Sequence, residues 1–122
     1  MRAFMDIAKA LADENRVRVL LILRDGELCV CQVVALLELA PSTVSRHMAV
    51  LRQARLVEAR KVGKWVHYRR SDGADAPHVV ETLAWVDGCV GDGARARRDR
   101  KALKAILRTD PEQLCRTRAA GA

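Results

Sequence analysis

The hydropathy period of this chain changes once, and that change limits the folds open to it. Up to about residue 54 the apolar residues recur every three or four positions. In "VEARKVGKWVHYRR" they alternate with polar ones. The first spacing belongs to amphipathic helices and the second to a half-buried strand. Val62-Gly63-Lys64 interrupts the alternation with a turn, which predicts a hairpin of Val57–Lys61 and Trp65–Arg69. A chain that is helical before a single short hairpin cannot build a sandwich, a barrel or a parallel sheet.

The helical part divides at its breakers. Phe4, Ile7, Ala8 and Leu11 form one stripe. Asp13 is placed to cap a second helix carrying Val17, Leu20 and Leu21, and Asp25-Gly26 ends it. A third helix starts near Leu28 with Val30, Val33, Val34 and Leu37 on one side. Pro41 disfavours helix at Ala40 yet suits the first turn of a fourth helix, in which Val44, Met48 and Leu51 align. Two amphipathic helices on a short connection, followed by a hairpin, predict a mainly α chain with a small β-hairpin: a winged helix-turn-helix. Past the loop at residues 71–77, Pro77 opens a fifth helix with Val79, Leu83, Val86 and Val90. "GDG" at Gly91–Gly93 interrupts it, and a basic helix or tail follows. The expected division is a DNA-binding and dimerisation domain at residues 1–90 and a basic C-terminal segment at residues 91–122. Only four residues are aromatic, so the core must be aliphatic, and a helical chain this small often needs a second copy to complete it.

Net charge is +7, which favours an anionic partner. Between Pro41 and Arg70 eight Arg and Lys face one acid, Glu58. On the fourth helix, away from Val44, Met48 and Leu51, lie Ser42, Ser45, Arg46 and Gln53, with Thr43 at the N-terminal edge. Small hydroxyls at a helix start approach bases or phosphates closely. Arg46 can take guanine through two hydrogen bonds and Gln53 can read adenine, while Lys61 and Lys64 flank the hairpin turn and suit phosphates. His47 lies nearer the apolar side and reads as packing; His67 on the hairpin reads as close to DNA or solvent. No apolar run approaches a membrane span and no secretory signal is readable, so a reducing cytoplasm is expected. The chain shows no CxxC at a strand–helix junction, no phosphate-binding glycine loop and no Ser-His-Asp set, and is not expected to be an enzyme.

Four cysteines remain: Cys29, Cys31, Cys89 and Cys115. In a cytosolic chain thiols, metal ligands or redox sensors are more usual than disulfides. If Cys29 and Cys31 lie within one regular helix, their side chains diverge by about 200°. Gripping one atom would then require the first turn to unwind.

"ELCVC" at Glu27–Cys31, "STVSRHMAVLRQARLVEAR" at Ser42–Arg60 and "GKWVHYR" at Gly63–Arg69 resemble the ArsR/SmtB family of metalloregulatory repressors, from about Phe4 to Arg70. The resemblance implies a homodimer that leaves its operator, a double-stranded DNA, when an inducer binds. In the arsenical branch that inducer is trivalent arsenic or antimony held by thiolates, with no organic cofactor. Related branches sense cadmium, lead or zinc, and a thiol-redox switch is a further alternative. The arsenical pattern has a further cysteine three places after the second; here that place is Val34. A cadmium/lead pattern takes its extra thiols from an N-terminal extension, and no cysteine precedes Cys29. Cys115, on a mobile tail beyond Pro111, is the preferred third ligand beside Cys29 and Cys31. Cys89 is expected to pack at a dimer interface. A zinc site on the fifth helix from Asp75, His78, Glu81 and Asp87 is disfavoured.

Overall fold

A computed structural model describes residues 1–74 and 76–121, with side chains described as far as Arg116. Among the described residues, seven helices and three strands run in the order α1 (Arg2–Leu11), α2 (Glu14–Ile22), β1 (Leu28–Cys29), α3 (Val30–Leu37), α4 (Pro41–Gln53), β2 (Val57–Val62), β3 (Trp65–Arg70), α5 (Pro77–Val90), α6 (Ala94–Leu107) and α7 (Pro111–Gly121). The local signals act as expected. The Asp13 side chain accepts a hydrogen bond from the Asn15 amide at 2.8 Å and caps α2. Pro41 and Pro77 open α4 and α5. The α3–α4 connection turns on Glu38, the C-cap of α3, in the left-handed region at φ 56°. Only the first residue of the hairpin loop, Gly63, has positive φ (60°), as a type II′ turn demands.

The core is aliphatic. Val19 and Leu20 of α2, Val33 of α3, Val44, Met48 and Leu51 of α4, and Leu56 after it are fully buried in one cluster. The sheet is larger than the expected hairpin. β1 adds a third, antiparallel strand in the order β1-β3-β2, pairing Leu28 with Tyr68 and Cys29 with His67. Two side chains on opposite elements seal the chain's far half to this core. Arg18 of α2 donates from Nε and Nη2 to the two carboxylate oxygens of Asp99 of α6, at 2.8 and 3.0 Å, and both residues are buried. Arg70 at the end of β3 likewise holds Asp87 of α5, at 3.0 and 2.8 Å.

Three expectations are corrected. The apolar stripe of α1 only half enters the core: Ile7 and Leu11 are half-buried and pack against it, whereas Ala8 is exposed and Phe4 is 70% exposed. Together with exposed Met5, Val80, Trp85 and Val90 it leaves an apolar surface uncovered in the single chain. The segment after Pro111 is not a mobile tail. It forms α7, which packs on α3, while α6 packs on α2 and α3. Cys29 does not belong to a helix, for reasons given next. Asp75, weighed for an α5 site, lies outside the described residues, as does the side-chain arrangement beyond Arg116.

Candidate metal centre and basic face

Cys29 is the last residue of β1 and the N-cap of α3, with extended backbone (φ −70°, ψ 148°). Two interactions hold it there. Its own amide donates to Oε1 of Gln32 at 2.8 Å, half of a capping box in which the Cys29 side chain faces the amide of Gln32 in return. Its strand register against His67 extends the sheet. Cys31 falls in the first turn of α3. The two side chains therefore do not diverge as they would within one helix, and no unwinding is needed to bring them together.

The third sulfur arrives from the other end of the chain. Cys115 of α7 comes within 5.0 Å, Cα to Cα, of Cys31, 84 residues away in sequence, and the two sulfurs are joined in a disulfide. The Cys29 sulfur lies 3.7 Å from that of Cys115. All three sulfurs lie within 4.8 Å of one another, and the residues are 2%, 6% and 1% exposed. Val30, Trp65 and Leu114, each half-buried, pack around them as an apolar wall. A thiolate–metal bond of about 2.3 Å puts two sulfurs on one tetrahedral ion roughly 3.8 Å apart. Once reduced, the cluster therefore meets the spacing demanded of a three-sulfur site with shifts of about an ångström. Its all-sulfur composition selects thiophilic ions over hard ones. Cys89 is exposed on α5 and takes no part. His78 and Glu81, 3.9 Å apart, are both exposed and attract no third ligand among the described residues.

Ser42, Ser45, Arg46 and Gln53 are exposed on α4, and Thr43 is half-buried. Lys61 and Lys64 are exposed at the hairpin tip. Among the described residues none of Arg46, Arg52, Arg55, Lys61 and Lys64 is in an ion pair, so their charge is free to meet an anionic partner. Arg60, Arg69 and Arg70 are engaged, with Glu27, Glu58 and Asp87. His47 sits 3.2 Å from the Arg16 guanidinium and serves packing between α2 and α4.

Sequence reasoning missed what joins the two regions. Glu27, immediately before β1, accepts hydrogen bonds from Arg60 Nε of β2 at 2.8 and 2.9 Å and faces His67 Nδ1 of β3 at 3.3 Å. The Arg60 guanidinium holds the Glu27 carboxyl below its usual range, His67 and Arg69 adding smaller contributions in the same direction. His67 is thus tied to the sulfur-bearing strand, not free at the hairpin's surface. Trp65, which begins β3, packs on the sulfur cluster, and the Lys64 ammonium lies 5.2 Å over its ring. The "E" of "ELCVC" was the only available signal, and its partners lie more than 30 residues away.

Residues 13–59 match the family described as "Bacterial regulatory protein, arsR family". Across 112 residues, 91% of this chain and 87% of the relative, the sequence is 38% identical to the arsenical resistance operon repressor of Escherichia coli K12. It is 50% identical over 82 residues, 66% of this chain and 58% of the relative, to the arsenic resistance transcriptional regulator ArsR1 of Pseudomonas putida KT2440. Among solved structures, it is similar to the homodimeric winged helix-turn-helix DNA-binding domain Mb0332 of Mycobacterium bovis. The TM-score is 0.60 at 28% identity, over 70% of this chain and 76% of that one.

Proposed function

The chain belongs to the arsR family of bacterial regulatory proteins, DNA-binding transcriptional regulators and not enzymes, and from that premise we propose that it is a cytoplasmic, homodimeric repressor. It leaves its operator when trivalent arsenic or antimony is held by the thiolates of Cys29, Cys31 and Cys115. The observation that carries this reading is the convergence of three buried sulfurs from β1, α3 and α7. Ser42, Thr43, Ser45, Arg46 and Gln53 of α4 face the bases and nearby phosphates. Lys61 and Lys64 meet the backbone beside them.

The coupling follows from what each sulfur is attached to. Cys29 is paired in register with His67 of the wing, and Trp65 of the same strand leans on the cluster. Cys31 opens the first helix of the helix-turn-helix. Drawing the three sulfurs onto one atom therefore pulls on the base of the wing and the start of α3 together. Arrangements of α4 and wing that fit the duplex are disfavoured by as much as the bound atom prefers the tightened cluster. The uncovered face of α1 and α5, around a cleft of about 1160 Å³ lined by Phe4, Ile7, Leu11, Val79 and Trp85 among others, suits a second copy. Burial of such apolar area is the usual basis of a homodimer.

The test is release of reduced protein from a labelled duplex taken from upstream of its own gene. Sodium arsenite, potassium antimonyl tartrate and cadmium chloride are each titrated. Arsenite and the antimonial release it at the lowest concentrations. Cys29→Ser, Cys31→Ser and Cys115→Ser each raise the arsenite required by at least about 10–100-fold, the range already seen for partners one step outside a coordination sphere. Cys89→Ser changes nothing. Release by cadmium alone overturns the arsenical assignment, and an unaltered response in Cys115→Ser removes that residue from the site.

A further inference from the structure

We propose that the Cys31–Cys115 pair is a redox gate on inducer sensing: oxidation to the disulfide leaves the repressor able to hold DNA but unable to answer the metalloid. The proposal rests on the reading above, that these thiolates receive the inducer, and adds how that site is regulated.

Three observations carry it. First, the same sulfurs cannot do both tasks. Only a thiolate is a ligand, and the disulfide removes two of the three. Cys29 alone offers one sulfur and no chelate. Second, the crosslinked chain has its DNA-facing parts complete. With the disulfide in place α3 and α4 are formed, and β1, β2 and β3 are in register. Ser42, Ser45, Arg46, Lys61 and Lys64 remain exposed. The Cys31–Cys115 crosslink therefore leaves the helix-turn-helix and the wing folded and exposed, and it leaves Cys29, the sulfur in register with the wing, outside the bond. It also ties α7 to α3 across 84 residues that include the whole of α4 and the wing. Third, Cys29 stands 3.7 Å from the Cys115 sulfur, an adjacent nucleophile. Its thiolate can attack that sulfur and expel the Cys31 thiolate, moving the S–S bond to Cys29–Cys115. Either isomer leaves one thiolate, so the site is disarmed in both.

The chemistry balances with a hydroperoxide as oxidant. One thiolate of the pair takes an oxygen as the O–O bond breaks, giving a sulfenic acid and hydroxide from hydrogen peroxide. The second thiolate attacks the sulfenic sulfur and expels a second hydroxide, leaving the S–S bond. A dithiol reductant reverses the outcome by exchange, taking the disulfide into itself and returning both thiols.

The experiment uses the full chain with Cys89→Ser, which removes the exposed thiol and with it intermolecular crosslinking. Protein treated with hydrogen peroxide, and the same protein re-reduced with dithiothreitol, are compared on the upstream duplex during an arsenite titration. Peptide mapping under non-reducing conditions and a thiol count are run in parallel. The expected result is a Cys31–Cys115 or Cys29–Cys115 linked peptide and a fall from three titratable thiols to one. DNA affinity is unchanged, the arsenite needed for release rises by at least about tenfold for want of deprotonated ligands, and dithiothreitol restores the response. Release of DNA by peroxide alone overturns the gate, as does an oxidised chain that answers arsenite normally, or the absence of either linked peptide. Failure of the reduced chain to answer arsenite instead overturns the function reading, and the peptide map distinguishes the two failures.

Discussion

Asp99→Ala tests whether the C-terminal helices belong to the sensing unit. Asp99 receives two hydrogen bonds from the Arg18 guanidinium in a buried pair joining α6 to α2. The pair pushes the Arg18 pKa up, its hydrogen bond to Asp99 outweighing burial. Removing the carboxylate leaves a buried cation with one remaining side-chain acceptor, Asn15 Oδ1 at 2.9 Å. Breaking such a pair from one side costs about 3–5 kcal/mol. The secondary contact from Arg95, 4.0 Å away and half exposed, adds little. For a chain of this size each kcal/mol moves the melting temperature by about 3–4 °C, so the loss is roughly 9–20 °C by circular dichroism. Arg18→Met with Asp99→Leu, which replaces the pair by apolar volume, recovers most of it. α6 leads directly into α7, so a loosened α6 also lowers the effective concentration of Cys115 at Cys29 and Cys31. At a temperature where Asp99→Ala is still folded, more arsenite is needed to release DNA, while Cys29→Ser in the same background gains little further loss. A melting shift under about 3 °C refutes the claim that the ion pair pins α6. A normal shift with an unaltered arsenite response refutes the claim that α6 holds Cys115 in place.

Other consequences follow from the same geometry. Lys61→Ala with Lys64→Ala removes two phosphate contacts from each protomer, four in the proposed dimer, and lowers the slope of log affinity against log salt by roughly 3.6, measured by fluorescence anisotropy at several salt concentrations; an unchanged slope takes the hairpin tip off the DNA. Because Glu27 titrates below its ordinary value in the folded chain, its ion pair with Arg60 is fully present above the unfolded carboxylate pKa and is lost only as pH falls through the lower folded value. Carbon-detected titration of the Glu27 carboxyl checks this, and Arg60→Gln shifts its midpoint upward. Trp85→Glu places a charge on the uncovered α1–α5 face, where Trp85 is 64% exposed. It converts the proposed dimer to monomer in analytical ultracentrifugation without lowering the helical content of the chain.

The legible and illegible parts of this molecule divide by sequence distance. Val44, Met48 and Leu51 are fully buried as their spacing predicts, and Asp13 and Pro41 act where capping rules put them. Each of those signals is decided within four residues. The α1 stripe shows where such signals stop. Phe4 and Ile7 share an apolar face, but periodicity says only that a face exists, not what covers it. Read locally, Cys115 falls on a tail because Pro111 breaks the helix before it. Its position follows instead from α7 docking on α3, a contact that no window of the sequence contains.

Cys29 is the most instructive misreading. The apolar run from Leu28 onward continues without a break, so a helix period extends naturally to include it. One local and one long-range fact overrule that continuity: the Gln32 side chain, three residues on, satisfies the Cys29 amide from within α3, and Leu28 and Cys29 find partners on β3, some 40 residues later. A two-residue strand is too short to carry a pattern of its own. Yet among the described residues this strand is where a proposed sulfur ligand pairs with the wing. Were Cys29 inside α3, a bound atom would have to disrupt the helix to be felt by the wing. As the N-cap it transmits through the sheet, since displacing Cys29 displaces the register against His67 and, with it, the strand whose first residue packs on the sulfurs and whose turn carries Lys64. On the proposed function, sensor and reader are thus adjacent ends of one small sheet, and the coupling asks only for a small shift in a strand that is already extended.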